Sequence, residues 1–425
     1  MPYNRRIVDD ELDVLFADLP ALSIEGPKAV GKTTTARQRA KAEFGLDEAA
    51  QRELVAADPG RLVSQAKPTL IDEWQRYPAA WDLVRRAVDS SDSVPGQFLL
   101  TGSATPVGQP THSGAGRITT VRMRPLSFAE RKVETPSVSL AALLTGTAPA
   151  LSGQTSVGLG GYVDEILCSG FPGMRSLKGP ALRAQLDGYL SRIVEKDVEE
   201  VGGRTLRRPD TLRRWMAAYA AATSTIATWE TIRDAASGGH ANKPSRATSG
   251  PYREVLEHLW ILDDVPAWLP SSHHLSELSR APKHQLADPA LAARLVGIGR
   301  DGLLTAHQVS PGIPRDGTFL GALFESLAAL SVRVYAQASE ARVGHMRVQR
   351  GGREIDLIVE KDDQRVVALE VKLAHQVEHD DVEHLVWLRD KIGDRFLDGV
   401  VITTGPYAYR RPDGIAVVPL ALLGP

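Results

Sequence analysis

One eight-residue run constrains this chain more than any other feature of its 425 residues: Gly26-Pro27-Lys28-Ala29-Val30-Gly31-Lys32-Thr33, directly behind the apolar stretch Ala21-Leu22-Ser23-Ile24. A strand that turns through glycines into a helix leaves successive backbone N–H groups pointing into one concavity, and the helix adds its positive end. That arrangement is a phosphate cradle. Within it Lys32 is expected to reach the β- and γ-phosphates of a nucleotide and the Thr33 hydroxyl to ligate Mg²⁺, with Thr34 next to them also among the nucleotide-binding residues. By residue frequencies, such a match arises by chance in roughly one per cent of chains of this length. The strand in front of it weakens the alternative of a merely structural glycine turn.

A second apolar stretch, Thr69-Leu70-Ile71, ends in Asp72-Glu73. Alone, an acidic pair after a strand is more often a solvated turn. Beside a phosphate cradle, Asp72 can hold the Mg²⁺ shell and Glu73 can orient an attacking water. A third stretch, Phe98-Leu99-Leu100, ends in Thr101-Gly102-Ser103, and open parallel sheets bind ligands at that carboxyl edge. Either Thr101 or Ser103 is placed to sense a γ-phosphate. Short apolar runs separated by amphipathic segments predict an α/β domain with a parallel sheet.

Single cores seldom grow past about 250–300 residues, so two or three domains are expected. We place a P-loop domain at 1–136, a linker or loop-rich junction at 137–160, a mainly helical domain at 161–300 and a second α/β domain at 301–425. Lys plus Arg number 50 against 52 Asp plus Glu, a formal charge of −2, so any nucleic-acid contact must come from a local patch. The single cysteine, Cys168, cannot form an internal disulfide and fits a reducing compartment. The N-terminus leads into an acidic amphipathic stretch rather than a signal core, and there is no run of eighteen apolar residues. A cytoplasmic protein without a membrane span is the expectation.

In the helical region, a helix over 228–236 capped by Thr228, a basic polar stretch, a helix over 252–260 and a strand candidate over 261–268 follow the order of a helix-turn-helix with a wing. Docked on double-stranded DNA, such a module would set Lys243, Arg246 and Arg253 against phosphates, with Arg204, Arg207, Arg208, Arg213 and Arg214 widening the patch. Glu254, Glu257, Asp263 and Asp264 lie close by, and a module that only packs between its neighbours fits the same residues.

Towards the C-terminus, residues 353–360 and 365–372 read as two strands joined by Lys361-Asp-Asp-Gln364, most simply a hairpin. Folding about that turn brings Asp356 opposite Glu370 to within one residue. Period two puts Glu370 and Lys372 on one face, where two carboxylates can hold a second Mg²⁺ or Mn²⁺ and the lysine, not itself a ligand, can stabilise charge on a phosphate. His375, His379 and His384 follow among acids and read as a solvated helix.

The runs Leu70-Ile-Asp-Glu-Trp-Gln75, Leu99-Leu-Thr-Gly-Ser-Ala104, Gly114-Ala-Gly-Arg117, Arg124-Pro-Leu-Ser-Phe-Ala-Glu130, Ser169-Gly-Phe-Pro-Gly173 and Asp288-Pro-Ala-Leu291 together resemble the AAA-type predicted ATPases with a DUF4143 C-terminal region, over nearly the whole chain. The resemblance implies an AAA+ core, ATP as the nucleotide and a winged-helix-like middle. It also makes Arg117 a candidate for the γ-phosphate in cis or a neighbour's nucleotide in trans, hence a homo-oligomer; Arg122 and Arg124 are chemically equal alternatives. Asp356 with Glu370-x-Lys372 resembles the PD-(D/E)XK nuclease signature, with Glu325 in the place of that fold's helical acid, although no proline precedes Asp356. This implies a restriction-endonuclease-like domain. Three functions stay open: an ATP-driven DNA-acting enzyme, an ATP-gated DNA-binding regulator, and a protein-partner switch with a non-catalytic nuclease-like domain.

Overall fold

The computed structural model describes residues 3–103, 114–198, 209–237, 246–269, 281–305, 317–348 and 352–425. Strands β1 (Ala21–Glu25), β2 (Ala42–Gly45), β3 (Thr69–Asp72), β4 (Phe98–Gly102) and β5 (Thr119–Arg122) form one sheet in the order β2-β3-β4-β1-β5. Every neighbour pair is parallel. The inner strands β1, β3 and β4 are covered on both faces, which is why they read as continuous apolar runs rather than alternating ones. The order has a consequence for chemistry. Because β4 lies between β1 and β3, the polar end of β4 is wedged between the Gly26–Thr33 loop and the acidic pair.

The helical region holds the helices Leu159–Cys168, Gly179–Arg192, Pro209–Ala221, Trp229–Ala235, Arg246–His258, Pro289–Val296 and Arg300–Leu304. Thr228 caps its helix as expected, accepting from Thr231 N at 3.1 Å. The helix Gly179–Arg192 stops being α-helical at Arg192 and continues as a π-turn, Ile193–Asp197. The strand expected over 261–268 forms isolated bridges only: Leu262 to Leu286 and Val265 to Lys283, antiparallel, and Ala267 to His345, parallel. This ribbon leads from the helical region directly onto the C-terminal sheet.

That second sheet runs β7-β12-β13-β11-β10-β9-β8, with β7 Gly153–Gln154, β8 Arg342–Arg347, β9 Glu354–Glu360, β10 Val366–Val371, β11 Phe396–Thr403, β12 Tyr407–Arg410 and β13 Ala416–Pro419. It is mixed: β10, β11 and β13 pair in parallel, while β8, β9 and β10 pair antiparallel, as do β13, β12 and β7. The stretch expected to be a junction supplies β7, and also β6 (Val138–Ser139), which pairs with β14 (Leu423–Gly424). Residues 137–160 are therefore not a free linker. Their Ser, Thr and Gly content reads as loop, but two-residue edge strands need backbone pairing and little side-chain propensity.

The helix Phe319–Ala338 is long and apolar enough to cross a membrane by length and composition, yet most of it is buried in the protein core. Ser331 Oγ accepts from Phe128 N and Tyr335 OH from Ala129 N, both at 3.0 Å, so the helix is bonded to the segment that follows the P-loop sheet. One apolar cluster runs through Leu22, Tyr162, Phe324 and Leu369, spanning all three regions. Gly170 and Asp288, from two separate motifs, meet there: Gly170 N donates to Asp288 Oδ2 at 2.6 Å, while Asp288 Oδ1 caps the helix Pro289–Val296. A Cβ on Gly170 would lie 2.9 Å from that carboxylate and from Leu126 O, so the motif glycine is a packing requirement.

Candidate functional site

The loop Gly26–Thr33 closes against the chain after β5. A Cβ at Gly26 would stand 2.1 Å from Met123 O, and Met123 N is itself bonded to Glu25 O at 2.7 Å, so only glycine fits. Gly31 sits at φ 102° and ψ 15°, left-handed backbone that other residues reach only with strain. Ala29 has a positive φ of 68° as well. Val30 is buried, and its carbonyl accepts from Arg6 Nη1 at 3.1 Å.

Lys32 is buried, its ammonium donating to Gly26 O at 2.8 Å and Pro27 O at 2.9 Å. Burial lowers its pKa to about 8, opposed by Glu73 and Asp72. Thr33 Oγ1 donates to Asp72 Oδ1 at 2.8 Å, and Thr101 Oγ1 donates to the same oxygen. Glu73 takes left-handed backbone, φ 52°, and its Oε2 accepts from Ser103 Oγ at 3.1 Å and from Gln75 Nε2. Both alternatives raised for β4 are thus engaged: Thr101 holds Asp72 and Ser103 holds Glu73. Lys28 points away, to Asp197 Oδ1 at 2.6 Å, and its carbonyl accepts from Tyr189 OH at 3.2 Å. The Thr34 carbonyl accepts from Gln38 Nε2 at 3.1 Å, at the end of the helix that follows the loop.

Thr33 and Asp72 offer hard oxygen donors, which suits Mg²⁺. Among the residues described around Thr33 and Asp72, no three His, Cys, Asp or Glu side chains stand together as a metal-holding group. An ion at Thr33 and Asp72 would complete its shell with phosphate oxygens and water, as Mg²⁺ commonly does.

The C-terminal carboxylates form a different constellation from the one expected. The β9/β10 register pairs Leu357 with Leu369, which carries Asp356 towards Glu370 as the sequence predicts, and Asp356 Oδ2 accepts from Val371 N at 2.8 Å. However, Lys283 enters from the ribbon and places its Nζ 2.9 Å from Glu325, 2.9 Å from Asp356 and 2.8 Å from Glu354. Glu325 and Asp356 therefore meet on an ammonium. Glu370 stands apart, with Lys372 Nζ at 3.5 Å and His384 Nδ1 at 3.7 Å. Burial raises the Glu370 carboxyl to about 7 and, with Asp356 beside it, the Glu325 carboxyl to about 8. The expected metal set of Glu325, Asp356 and Glu370 is corrected accordingly: the side chains are neighbours, but a protein cation fills the point on which two of them converge.

Comparison with protein families matches an AAA domain at residues 18–132, a domain of unknown function, DUF4143, at 320–423, and another, DUF8612, at 160–302. The chain is an AAA-domain protein with a DUF4143 region. A search of curated proteins finds no match. Among solved structures, a Walker-type ATPase of Pyrococcus abyssi is similar at 15% identity and a TM-score of 0.37, over 69% of this chain and 98% of that one.

The three candidate arginines of the AAA domain separate clearly. Arg117 precedes β5 and is ion-paired with Asp89 at 2.8 Å. Since Thr119 is level with Leu22, roughly 13 Å or more of strand lies between Arg117 and the phosphate loop at ~3.3 Å per residue. The cis role expected for Arg117 is excluded by its place at the opposite edge of the sheet. Arg122 is level with Glu25, beside the loop, stacked 3.7 Å over Trp260, and none of its guanidinium nitrogens has a hydrogen-bond partner among the described residues. Burial pushes its pKa below the arginine range. Arg124 Nε donates to Asp263 Oδ2 at 2.9 Å and its Nη1 to Gln337 Oε1 at 3.1 Å.

Of the basic patch, Arg213 is paired with Glu195 at 2.5 Å and Arg253 with Glu257 at 2.6 Å, with Arg253 also over Trp229. Lys243, Arg204, Arg207 and Arg208 lie outside the described residues, as does the side chain of Arg246. Near the DUF4143 carboxylates, sequence reasoning missed Lys283, Glu354 and His384. Glu354 was accessible, being two residues before Asp356 on one strand and so on the same face. His384 was assigned to a solvated helix, yet its Nδ1 lies 2.8 Å from Glu354 O, and its pKa is raised by its contact with Glu370.

Proposed function

We propose that the AAA domain binds Mg-ATP and hydrolyses it, and that the chain works as an ATP-driven switch whose DUF4143 region does not cleave DNA in the arrangement seen here. The observation that carries this reading is the convergence of Thr33 and Thr101 on one oxygen of Asp72, while Ser103 and Gln75 hold Glu73 beside it. Asp72 and Thr33 would hold Mg²⁺, which when bound neutralises charge developing on the phosphates. Lys32 already sits inside the loop and needs only to exchange two carbonyls for phosphate oxygens. Glu73, clamped by two donors, is fixed in orientation to accept a proton from water or to align it.

Lys32→Ala should abolish nucleotide binding, whereas Glu73→Gln should bind ATP and release phosphate at least a hundredfold more slowly, within the range general-base catalysis contributes. Unchanged turnover in Glu73→Gln would remove that residue from the mechanism. Arg117 keeps only a trans role, in an oligomer. For the C-terminal region the partner-switch reading is favoured over the nuclease by Lys283, whose ammonium occupies the acid cluster. Labelled duplex DNA incubated with Mg²⁺ or Mn²⁺ discriminates: cleavage by the wild type that disappears in Asp356→Ala would replace the switch with an enzyme.

A further inference from the structure

Among the described residues, the ammonium of Lys283 is the side-chain group that a metal ion would have to displace to enter the acid cluster. Its nitrogen is within 2.9 Å of oxygens from three carboxylates, on the helix Phe319–Ala338 and on β9. The lysine is 1% exposed, and its backbone is locked by a reciprocal pair of bonds to Val265, N to O at 2.9 Å in both directions. The position is set by the ribbon, not by a mobile surface lysine finding an acid. One positive charge faces three carboxylates, and Glu370, also buried, adds an Oε1 atom without a hydrogen-bond partner. All four acids, with Lys372 and His384, line a cavity of about 910 Å³ that opens the cluster to ions.

We propose that Lys283 is the resident cation of this site: it stands where a divalent metal would stand, and the DUF4143 region takes up a divalent ion at Glu325, Glu354 and Asp356 only when Lys283 is withdrawn or replaced. The chemistry of the donor set supports this. Three carboxylates that approach one nitrogen to 2.9 Å need to close by less than 1 Å to reach the ~2.0–2.1 Å of a Mg²⁺ shell, and Mn²⁺ accepts the same oxygen ligands. With the ammonium in place, like charge and lack of space keep the ion out. The inference is independent of nucleotide hydrolysis, because it concerns a site built from the ribbon and the C-terminal region alone.

Binding of Mn²⁺ to the full nucleotide-free chain, read from the electron paramagnetic resonance signal of the free ion, tests it. The wild type should show no Mn²⁺ site that Asp356→Asn removes. Lys283→Met should gain one site per chain, at least tenfold tighter than any in the wild type, and the added Asp356→Asn should abolish it. Mn²⁺ should also raise the melting temperature of Lys283→Met and leave that of the wild type unchanged. Should Lys283→Met fail to fold, Lys283→Met/Glu325→Gln, which restores the local charge sum, carries the same readout through Glu354 and Asp356. A wild-type Mn²⁺ site sensitive to Asp356→Asn overturns the proposal, as does a folded Lys283 variant that gains none.

Discussion

Removing the carboxylate of Asp263 by substitution with alanine leaves three guanidinium groups facing one another. Arg124 donates to Asp263 Oδ2 at 2.9 Å, Arg333 Nη2 to Oδ1 at 2.9 Å, and Arg122 Nη2 stands 3.7 Å from Oδ1. Their side chains are only 12–14% exposed, so water can replace little of what is lost. Deleting one partner of a buried pair costs about 3–5 kcal/mol, chiefly because the remaining charge is stranded. At roughly 2–4 °C per kcal/mol this lowers the melting temperature by about 6–20 °C. Asp263→Asn keeps the shape and one acceptor, and should lose roughly half as much, near the ~1.5–3 kcal/mol of a charged hydrogen bond. The arginines hold the Asp263 carboxyl well below the usual carboxylate range. Its contribution is therefore present above the unfolded-state pKa, about 3.9, and is lost as pH falls through the lower folded value. Urea unfolding of wild type and Asp263→Ala between pH 5 and 8 should give a constant gap. A gap under about 1 kcal/mol, or one that grows or shrinks across that range, would refute the reasoning.

Two further outcomes follow from the nucleotide loop. With the Lys32 pKa at about 8 in the nucleotide-free protein, phosphate contact should raise it, so binding ATP at pH 8 should take up about half a proton and binding at pH 6.5 almost none; calorimetry in buffers of different ionisation enthalpy measures this, and no uptake at pH 8 would place Lys32 away from the phosphates. Gly26→Ala should lower ATP affinity more than tenfold, because its Cβ meets backbone at Met123 O that cannot yield; near-normal affinity in equilibrium dialysis would show that the loop relaxes.

What the sequence disclosed here is what is local in the chain. The strand, glycine loop and helix of Gly26–Thr33 are contiguous, so their geometry is written in order, and Thr33 next to Asp72 followed from strand ends alone. The β9/β10 hairpin was legible for the same reason: a short polar turn sets the register that brings Asp356 towards Glu370. Strand order was not legible, because nothing in the sequence says that β4 inserts between β1 and β3, and that insertion turns Thr101 and Ser103 into supports for the two acids. Arg117 misled because the Gly-Arg pair says nothing of which end of the sheet it occupies. Lys283 precedes Glu325 by 42 residues and Asp356 by 73, and no periodicity links them; only the tertiary ribbon does.

That ribbon also decides where this chain can be cut. The DUF4143 match begins at residue 320, which keeps Glu325, Glu354 and Asp356 in one fragment and leaves their counter-ion in another. A polypeptide started there would carry three carboxylates converging on an empty point, and would bare the faces of the helix Phe319–Ala338 that Phe128 and Tyr162 cover. Such boundaries mark units of sequence inheritance. A fragment that keeps the counter-ion must reach back at least to Lys283, and the pairing of β6 and β7 with the C-terminal strands draws in residues from about 137 as well.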